Sequence, residues 1–194
     1  GVGRLSSAAV GFRLGPRLNA GGRIGDPWTA ARLLATDDRG EAIQLAEKLH
    51  AQNAERKEVE AGIQKEAMEQ ADRRLAEHPD AGIIVVGGEG WHPGVIGIVA
   101  GRLKEKYHRP AIVVGWGEGL GPIARGSGRS VAGVNLGDLV SSAVKEGLLI
   151  NGGGHAMAAG LGMEPTRLAD LRDYLEAHTA GAKAELAEAR VLEI

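Results

Sequence analysis

Residues 82–114 read GIIVVGGEGWHPGVIGIVAGRLKEKYHRPAIVV, and this stretch predicts the fold. Its two ends, Gly82 to Val86 and Ala111 to Val114, are short apolar runs of the kind found in buried strands. Between them, Val95, Val99 and Leu103 recur at helical spacing. A strand, a helix and a second strand in this order form a βαβ unit, whose two strands are parallel. We therefore expect an α/β fold in which helices flank a small mixed sheet.

A long helix is predicted before this unit. Residues 41–77 contain no proline and one glycine, and their apolar side chains step by three and four positions. Polar Gln52 and Arg56 interrupt the apolar stripe, so the middle of the helix is expected to face something other than a dry core. Further upstream, residues 1–23 show no helical period and predict strand and loop, whereas Trp28 to Leu34 predicts a short helix.

The elements after the βαβ unit follow from shorter patterns. Ile123 to Val131 predicts another strand, Leu136 to Leu148 a second helix and Ala158 to Met163 a final strand. Thr166 is expected to begin a terminal helix, and the Ala/Glu-rich residues after Gly181 to form a weak tail.

Composition excludes several classes of site. The 194 residues include no cysteine, which excludes disulfides, thiolate zinc sites and cysteine nucleophiles and favours a reducing compartment. No apolar run approaches the ~20 residues that a membrane helix needs.

Charge is distributed unevenly along the chain. Although the net charge is −2, two segments, residues 1–32 and 91–130, each have four more basic than acidic residues. Because glycines cluster with these basic residues, we expect a local anion site rather than general polyanion binding.

The first glycine-rich cluster is residues 15–23, which carry Arg17, Asn19 and Arg23. Two arginines and an asparagine on a loop suit a phosphate, which they would hold by charge-assisted hydrogen bonds. An ordinary solvated turn fits the same pattern, and spacing alone does not separate the two interpretations.

The second cluster, residues 91–97, follows the first predicted strand, where βα loops deliver functional groups. His92 is its candidate side chain, with a satisfied or surface histidine as the alternative. Gly94 is expected to let the free amides of the helix start approach an anion.

The third cluster combines residues 126–130, which include Ser127, Arg129 and Ser130, with residues 151–160. In the latter, Gly152, Gly153 and Gly154 precede His155. Three successive glycines before an ionisable ring favour an anion-binding nest of exposed amides over a structural loop.

These clusters do not make a complete catalytic set. The sequence contains no phosphate-binding loop of the Gly-x-x-x-x-Gly-Lys type, no dinucleotide fingerprint after a buried strand, and no His-Glu-x-x-His. No Asp and His residues have metal-ligand spacing. From the residues alone, the prediction ends at a phosphate-ligand site of incomplete chemistry.

The clusters resemble the ordered motifs of the RecJ family of DHH phosphoesterases, single-stranded-DNA-specific exonucleases. Residues 15–23 are similar to its Pro-Arg-Leu-Asn-Ala-x-Gly-Arg motif, and Asn53 with Arg56 to its Asn-x-x-Arg. Residues 91–100 resemble its Trp-His-x-Gly-Val-x-Gly-Ile-x-Ala, and residues 126–130 and 153–160 its later motifs.

The resemblance implies a division of the chain and a missing part. Residues 1–40 would end an amino-terminal DHH lobe, 41–78 form the connecting helix, 79–165 the DHH-associated lobe and 166–194 a terminal helix and tail. The family binds Mn²⁺ or Mg²⁺ through that first lobe, including an Asp-His-His triplet that this sequence lacks. The chain is therefore expected to be part of a larger nuclease, without metal ligands and inactive alone.

The resemblance also assigns roles to the candidate residues. Ser127 and Arg129 would bind the terminal 5′ phosphate, with Arg23 nearby. His155, the candidate catalytic residue, would contact the phosphate near the metals, and His92 would line the same cleft. The remaining candidate phosphate-binding residues are Arg17, Asn19, Ser130, Gly153 and Gly154.

The function implied is the substrate-binding part of a cytoplasmic 5′→3′ exonuclease on single-stranded DNA, in repair and recombination. Its partner would be a 5′-phosphorylated strand, and neither a membrane nor a protein partner is expected. Two alternatives stay open: an oligoribonuclease or cyclic-dinucleotide phosphodiesterase of the same superfamily, and a non-catalytic RNA-binding module.

Overall fold

A computed structural model describes residues 6–180 of the chain, so the predicted tail after Gly181 lies outside the described residues. The chain divides into two compact units, residues 1–61 and residues 62–194, and the boundary lies within the longest helix. We call them the first and the second unit and describe each by itself.

The chain forms seven α-helices and five strands within the described residues. The helices are α1 (Ser7–Ala9), α2 (Gly15–Ile24), α3 (Trp28–Ala35), α4 (Arg39–Glu77), α5 (Pro93–Tyr107), α6 (Leu136–Lys145) and α7 (Leu168–Thr179). The strands are β1 (Ile84–Glu89), β2 (Ala111–Trp116), β3 (Ala124–Arg129), β4 (Asn151–His155) and β5 (Ala158–Met163). A π-helical turn, Val10–Leu14, joins α1 to α2, and a 3₁₀ turn, Pro165–Arg167, precedes α7.

The prediction of strand and loop before Arg23 is wrong for the described residues, because α2 occupies this region. Pro16 lies in the first turn of α2, where its missing N–H costs no helical hydrogen bond. Gly21 is buried, and a Cβ atom there would lie 2.8 Å from the Asp26 carbonyl oxygen and 3.4 Å from Leu49 Cδ2. Gly21, one of the glycines that suggested a flexible loop, therefore permits close packing against α4.

The predicted helices at Trp28 and over residues 41–77 are confirmed as α3 and α4. Of the two polar residues that interrupt the apolar stripe of α4, Gln52 is half-buried and Arg56 is 9% exposed, with its guanidinium bonded to Glu60 and Asn53. Although α4 has 39 residues, no helix among residues 6–180 is long and apolar enough to cross a membrane.

The second unit is built on a five-stranded mixed sheet of strand order β1-β2-β3-β5-β4. The predicted βαβ unit is confirmed, because β1 and β2 pair in parallel and α5 connects them. The other neighbours pair antiparallel. The predicted strands near Ile123 and Ala158 are confirmed as β3 and β5, whereas β4 was expected to be a loop.

The two faces of the sheet are covered differently. One face packs against α6 and α7 and forms the main core. That core includes Ile112 and Val114 of β2, Leu161 and Met163 of β5, Leu136 and Val140 of α6, and Leu171 and Leu175 of α7. The opposite face packs against α5, which buries Val95, Val99 and Leu103 completely.

The end of α5 is fastened to the second half of α4. The Tyr107 hydroxyl donates to Asp72 Oδ1 at 2.7 Å, and Lys106 Nζ lies 3.3 Å from Asp72 Oδ2. These contacts, the tyrosine bond first, hold the pKa of Asp72 below its ordinary value, and burial raises the pKa of Tyr107. The contact fixes the helix that packs beside the polar face of β3.

One side chain of α4 supplies hydrogen-bond partners for the backbone at the outer edge of β1. The amide nitrogen of Gln70 donates to the Gly87 carbonyl at 2.9 Å, and the Gly87 N–H donates to Gln70 Oε1 at 3.3 Å. A glutamine thus makes the pair of bonds that a neighbouring strand would make. It prevents β1 from presenting an unpaired edge at this residue.

Gln70→Ala is expected to lower the free energy of unfolding by about 1–3 kcal/mol, because it leaves a partly buried backbone donor and acceptor without partners. Urea unfolding checks this. Gln64→Ala is the matched control, since Gln64 lies on the same helix and makes no side-chain hydrogen bond within the described residues. Equal losses for the two variants would contradict the role of Gln70.

Candidate nucleic-acid interface

The side chains of β3 alternate between the two faces of the sheet. Gly126 and Gly128 face the core, because a Cβ atom at either would lie 2.5 Å from a leucine methyl carbon, of Leu161 and Leu136 respectively. The residues that alternate with them along the strand, Arg125, Ser127 and Arg129, therefore point to the opposite side. Strand β3 thus presents glycines to the main core and polar side chains to the opposite face of the sheet, on which α5 packs.

The pairing of the strands extends this face from β3 across β5 to β4. Ser127 pairs with Gly160, which pairs with Gly153, while Arg129 pairs with Ala158, which pairs with His155. Because paired residues share a face, all of these lie on one surface. We call this surface the open face; its residues include Arg125, Ser127, Arg129, Gly153, His155, Ala158 and Gly160. With strands ~4.8 Å apart, His155 emerges about 10 Å from Arg129.

Arg129 is oriented before any ligand binds. Its Nη1 donates to Ser127 Oγ at 3.2 Å and to the Gly128 carbonyl at 2.8 Å. On α5, a Cβ atom at Gly97 would lie 2.9 Å from Ser127 Oγ and 3.1 Å from Arg129 Nη2. Gly97 therefore leaves the space that the pair occupies, and α5 forms one wall beside it.

Two glycines form a floor next to this pair. A Cβ atom at Gly153 would have no atom within 4 Å, and one at Gly160 only the Gly126 carbonyl oxygen at 4.0 Å. Neither glycine has a positive φ. Since glycine weakens a strand and neither packing nor backbone conformation requires it here, the two positions are suited to close approach of a ligand.

Both candidate histidines are held in the same manner. His92 Nδ1 accepts from the Gly94 N–H at 3.0 Å, and His155 Nδ1 accepts from the Met157 N–H at 3.2 Å. In the neutral ring this places the proton on Nε2. The arrangement suits donation to an anion through Nε2. His155 is exposed on the open face, and His92 is half-buried at the start of α5.

The expected anion site at the start of α5 is wrong, because His92 itself caps the helix. The Gly94 N–H is bonded to the His92 ring, and the N–H groups of Val95 and Ile96 point to the His92 carbonyl. Trp91 anchors this turn: it is 2% exposed and its Nε1 donates to Glu66 Oε2 at 2.9 Å.

The predicted glycine nest is also wrong. Residues 152–154 are extended in β4, and none has the positive φ that a nest of alternating conformations uses. Gly153 lines the open face, but Gly154 faces α6, where a Cβ atom would lie 2.6 Å from Ala159 Cα and Gly137 of α6 packs against the Gly154 carbonyl. Gly154 therefore serves packing.

Ser130 is not on the open face. It is 1% exposed, its hydroxyl donates to the Val134 carbonyl at 2.8 Å, and its N–H bonds the Met157 carbonyl. The hydroxyl bond closes the turn after β3 and the N–H bond ties it to the β4–β5 hairpin, so the predicted phosphate-binding role of Ser130 is wrong: this side chain is buried and serves the fold.

Arg17, Asn19 and Arg23 belong to the first unit, on α2. Arg17 is turned toward α4, where its Nε donates to His50 Nδ1 at 3.2 Å. Asn19 and Arg23, four residues apart, are exposed neighbours on the helix surface. Phosphate binding by Arg17, Asn19 and Arg23 stays a prediction.

Three residues of the site were not singled out from the sequence. Ile123 to Val131 was predicted as a strand, and applying the period of two to Ala124-Arg125-Gly126-Ser127-Gly128-Arg129 would have placed Arg125 on the same face as Ser127 and Arg129. Gly97 and Gly160 carry no such signal, because their importance lies in what they leave empty.

Comparison with known proteins gives a consistent family. A family model described as the DHHA1 domain matches residues 80–181. The single-stranded-DNA-specific exonuclease RecJ of Salmonella typhimurium is 43% identical over 166 residues, which are 83% of this chain and 28% of that protein.

Crystal structures of RecJ from Thermus thermophilus, in complex with Mg²⁺ and with Mn²⁺, match with a TM-score of 0.77 at 38% identity. Each match covers 89% of this chain, with 26% of the Mg²⁺-bound and 24% of the Mn²⁺-bound relative. The chain thus spans about a quarter of the length of these relatives.

The residues described for this chain offer no site for the metal ions of those structures. Within residues 6–180, no group of three or more histidine and carboxylate side chains is arranged to hold a metal ion. The described residues therefore do not fit a resident metal.

Gly160→Ala is expected to leave the free energy of unfolding unchanged or to raise it by about 0.5–1 kcal/mol, because alanine orders a strand at less entropic cost than glycine. Gly126→Ala, on the core face of the neighbouring strand, is expected to lower it by about 1–3 kcal/mol through overpacking against Leu161. Urea unfolding compares the two. A comparable loss in both variants would show that the floor is not open.

Proposed function

Because the chain belongs to the DHHA1 domain family, we propose that it is the substrate-binding part of a single-stranded-DNA exonuclease and that its open face binds the terminal 5′ phosphate of the strand. RecJ of Salmonella typhimurium, one of its relatives, is named as a single-stranded-DNA-specific exonuclease.

The observation that carries the proposal is the preset pair of Ser127 and Arg129 beside the glycine floor. A guanidinium and a hydroxyl 3.2 Å apart offer donors to two oxygens of one phosphate. The floor at Gly153 and Gly160 lets the phosphate approach the sheet, and His155 Nε2 donates from the far side. A terminal phosphate carries more charge than an internal one, so this convergence of donors favours the end of a strand.

Binding of the terminal phosphate explains how this part assists hydrolysis. Once the end is fixed, the first internal phosphodiester bond is held at a set distance from it, which supplies positioning. We assign the Mg²⁺ or Mn²⁺ ligands to the part of the full-length relatives that this chain does not match. The open face then acts in binding and orientation, with His155 in contact with the substrate.

In the same proposal, the first unit supports substrate binding and links the two lobes of the whole protein. Residues 1–40 would complete the metal-binding lobe of the whole protein, residues 41–78 connect it to the DHHA1 lobe, and Asn19 and Arg23 would face the substrate. We place the activity in the cytoplasm, in DNA repair and recombination; the cysteine-free sequence supports a reducing compartment.

Arg129→Ala is expected to weaken binding of a 5′-phosphorylated oligodeoxynucleotide by about 1.5–3 kcal/mol, the usual value of hydrogen bonds to a charged group. Binding of the same strand with a 5′ hydroxyl should change little. Fluorescence anisotropy in EDTA measures both without cleavage. Arg102→Ala, which removes an exposed arginine paired with Glu105 on α5, is the charge-matched control.

The outcomes separate the candidate functions. Equal losses on both strands would remove Arg129 from the terminal-phosphate role. Tighter binding of a cyclic dinucleotide than of the 5′-phosphorylated strand would favour a small-substrate phosphodiesterase. Binding of RNA with no dependence on the 5′ phosphate would favour a non-catalytic RNA-binding module.

A further inference from the structure

Arg125 is a second arginine on the open face, and it differs from Arg129 in its exposure and its hydrogen bonding. Arg129 is half-buried and fastened to Ser127 and the Gly128 carbonyl. Arg125 is exposed, and its guanidinium makes no hydrogen bond or ion pair within residues 6–180. Its charge is therefore available to a ligand that occupies the open face.

The position of Arg125 is fixed by its neighbours. It pairs with Gly115 on β2, and a Cβ atom at Gly115 would lie 1.9 Å from the Trp91 carbonyl oxygen. The turn that carries His92 thus lies over the strand position next to Arg125.

The spacing along β3 matches the repeat of a nucleic-acid backbone. Arg125, Ser127 and Arg129 recur every two residues, which is ~6.6 Å along a strand. A nucleotide contributes six backbone bonds and an amino acid three, so an extended nucleic-acid strand advances by one phosphate for about every two residues of a β-strand. Arg125 is therefore separated from Ser127, the nearer member of the pair that holds the terminal phosphate, by about one phosphate repeat of an extended strand.

We infer that Arg125 binds an internal phosphate of the same strand whose terminal phosphate is held by Ser127 and Arg129. This inference rests on the proposed function and adds to it the direction in which the bound strand runs and the number of nucleotides that the open face contacts. The strand runs along β3 from Arg129 toward Arg125 and His92. The recognised ligand is then a 5′-phosphorylated strand of two to three nucleotides rather than a mononucleotide.

The test uses the 194-residue chain with 5′-phosphorylated oligodeoxythymidylates of one, two, three and six nucleotides, in EDTA. Wild-type affinity is expected to rise roughly ten-fold or more between one and three nucleotides. Arg125→Ala should bind the mononucleotide with the affinity of the wild type. Its affinity should increase much less than that of the wild type between one and three nucleotides. Its slope of log affinity against log salt for the six-nucleotide strand should be shallower by about 0.7, the value for one phosphate contact on a single strand.

Arg73→Ala is the matched control, because Arg73 is exposed on α4 and has no bonded partner within the described residues. It should reproduce the wild-type length dependence. An Arg125→Ala variant with that same length dependence, or a loss equal to that of Arg73→Ala at every length, would overturn the inference. A wild-type chain without preference for a 5′ phosphate over a 5′ hydroxyl would instead overturn the proposed function, so the two failures are distinguishable.

Discussion

The alternation of β3 between two unlike faces is the constraint on which the rest of the structure depends. Glycine at positions 126 and 128 lets Leu161 and Leu136 occupy the space of missing side chains, which fixes the core face. Once that face is fixed, the period of two sends Arg125, Ser127 and Arg129 to the other side. A slip of one residue would bury the arginines and expose the glycines, so the core enforces the site.

Glycine serves two opposite purposes in this sheet. At Gly126, Gly128 and Gly154 a side chain would collide with neighbouring groups, so glycine permits close packing. At Gly153 and Gly160 a side chain would meet open space, so glycine leaves a depression. The first group supports stability and the second costs some, as expected where a surface is shaped for a ligand.

The sequence predicted the parts of the molecule that follow from periodicity. The βαβ unit, α4 and β5 were placed correctly because their apolar side chains repeat at the period of a helix or strand. The errors at α2 and β4 share a cause: glycine was interpreted as a signal of flexible loop. Gly21 instead permits helix packing, and Gly152 accommodates Val140 of α6. Such uses depend on a partner distant in sequence, which no local pattern reveals.

The most direct test of the account is an NMR titration of the chain with a 5′-phosphorylated deoxythymidine trinucleotide, observed at side-chain signals. Unlike backbone amides, these signals report on one face of the sheet. The account predicts that the Arg129 Nε–H and the His155 ring shift on binding, while the His178 ring on α7 stays unchanged. Shifts at His178 without shifts at Arg129 and His155 would contradict it.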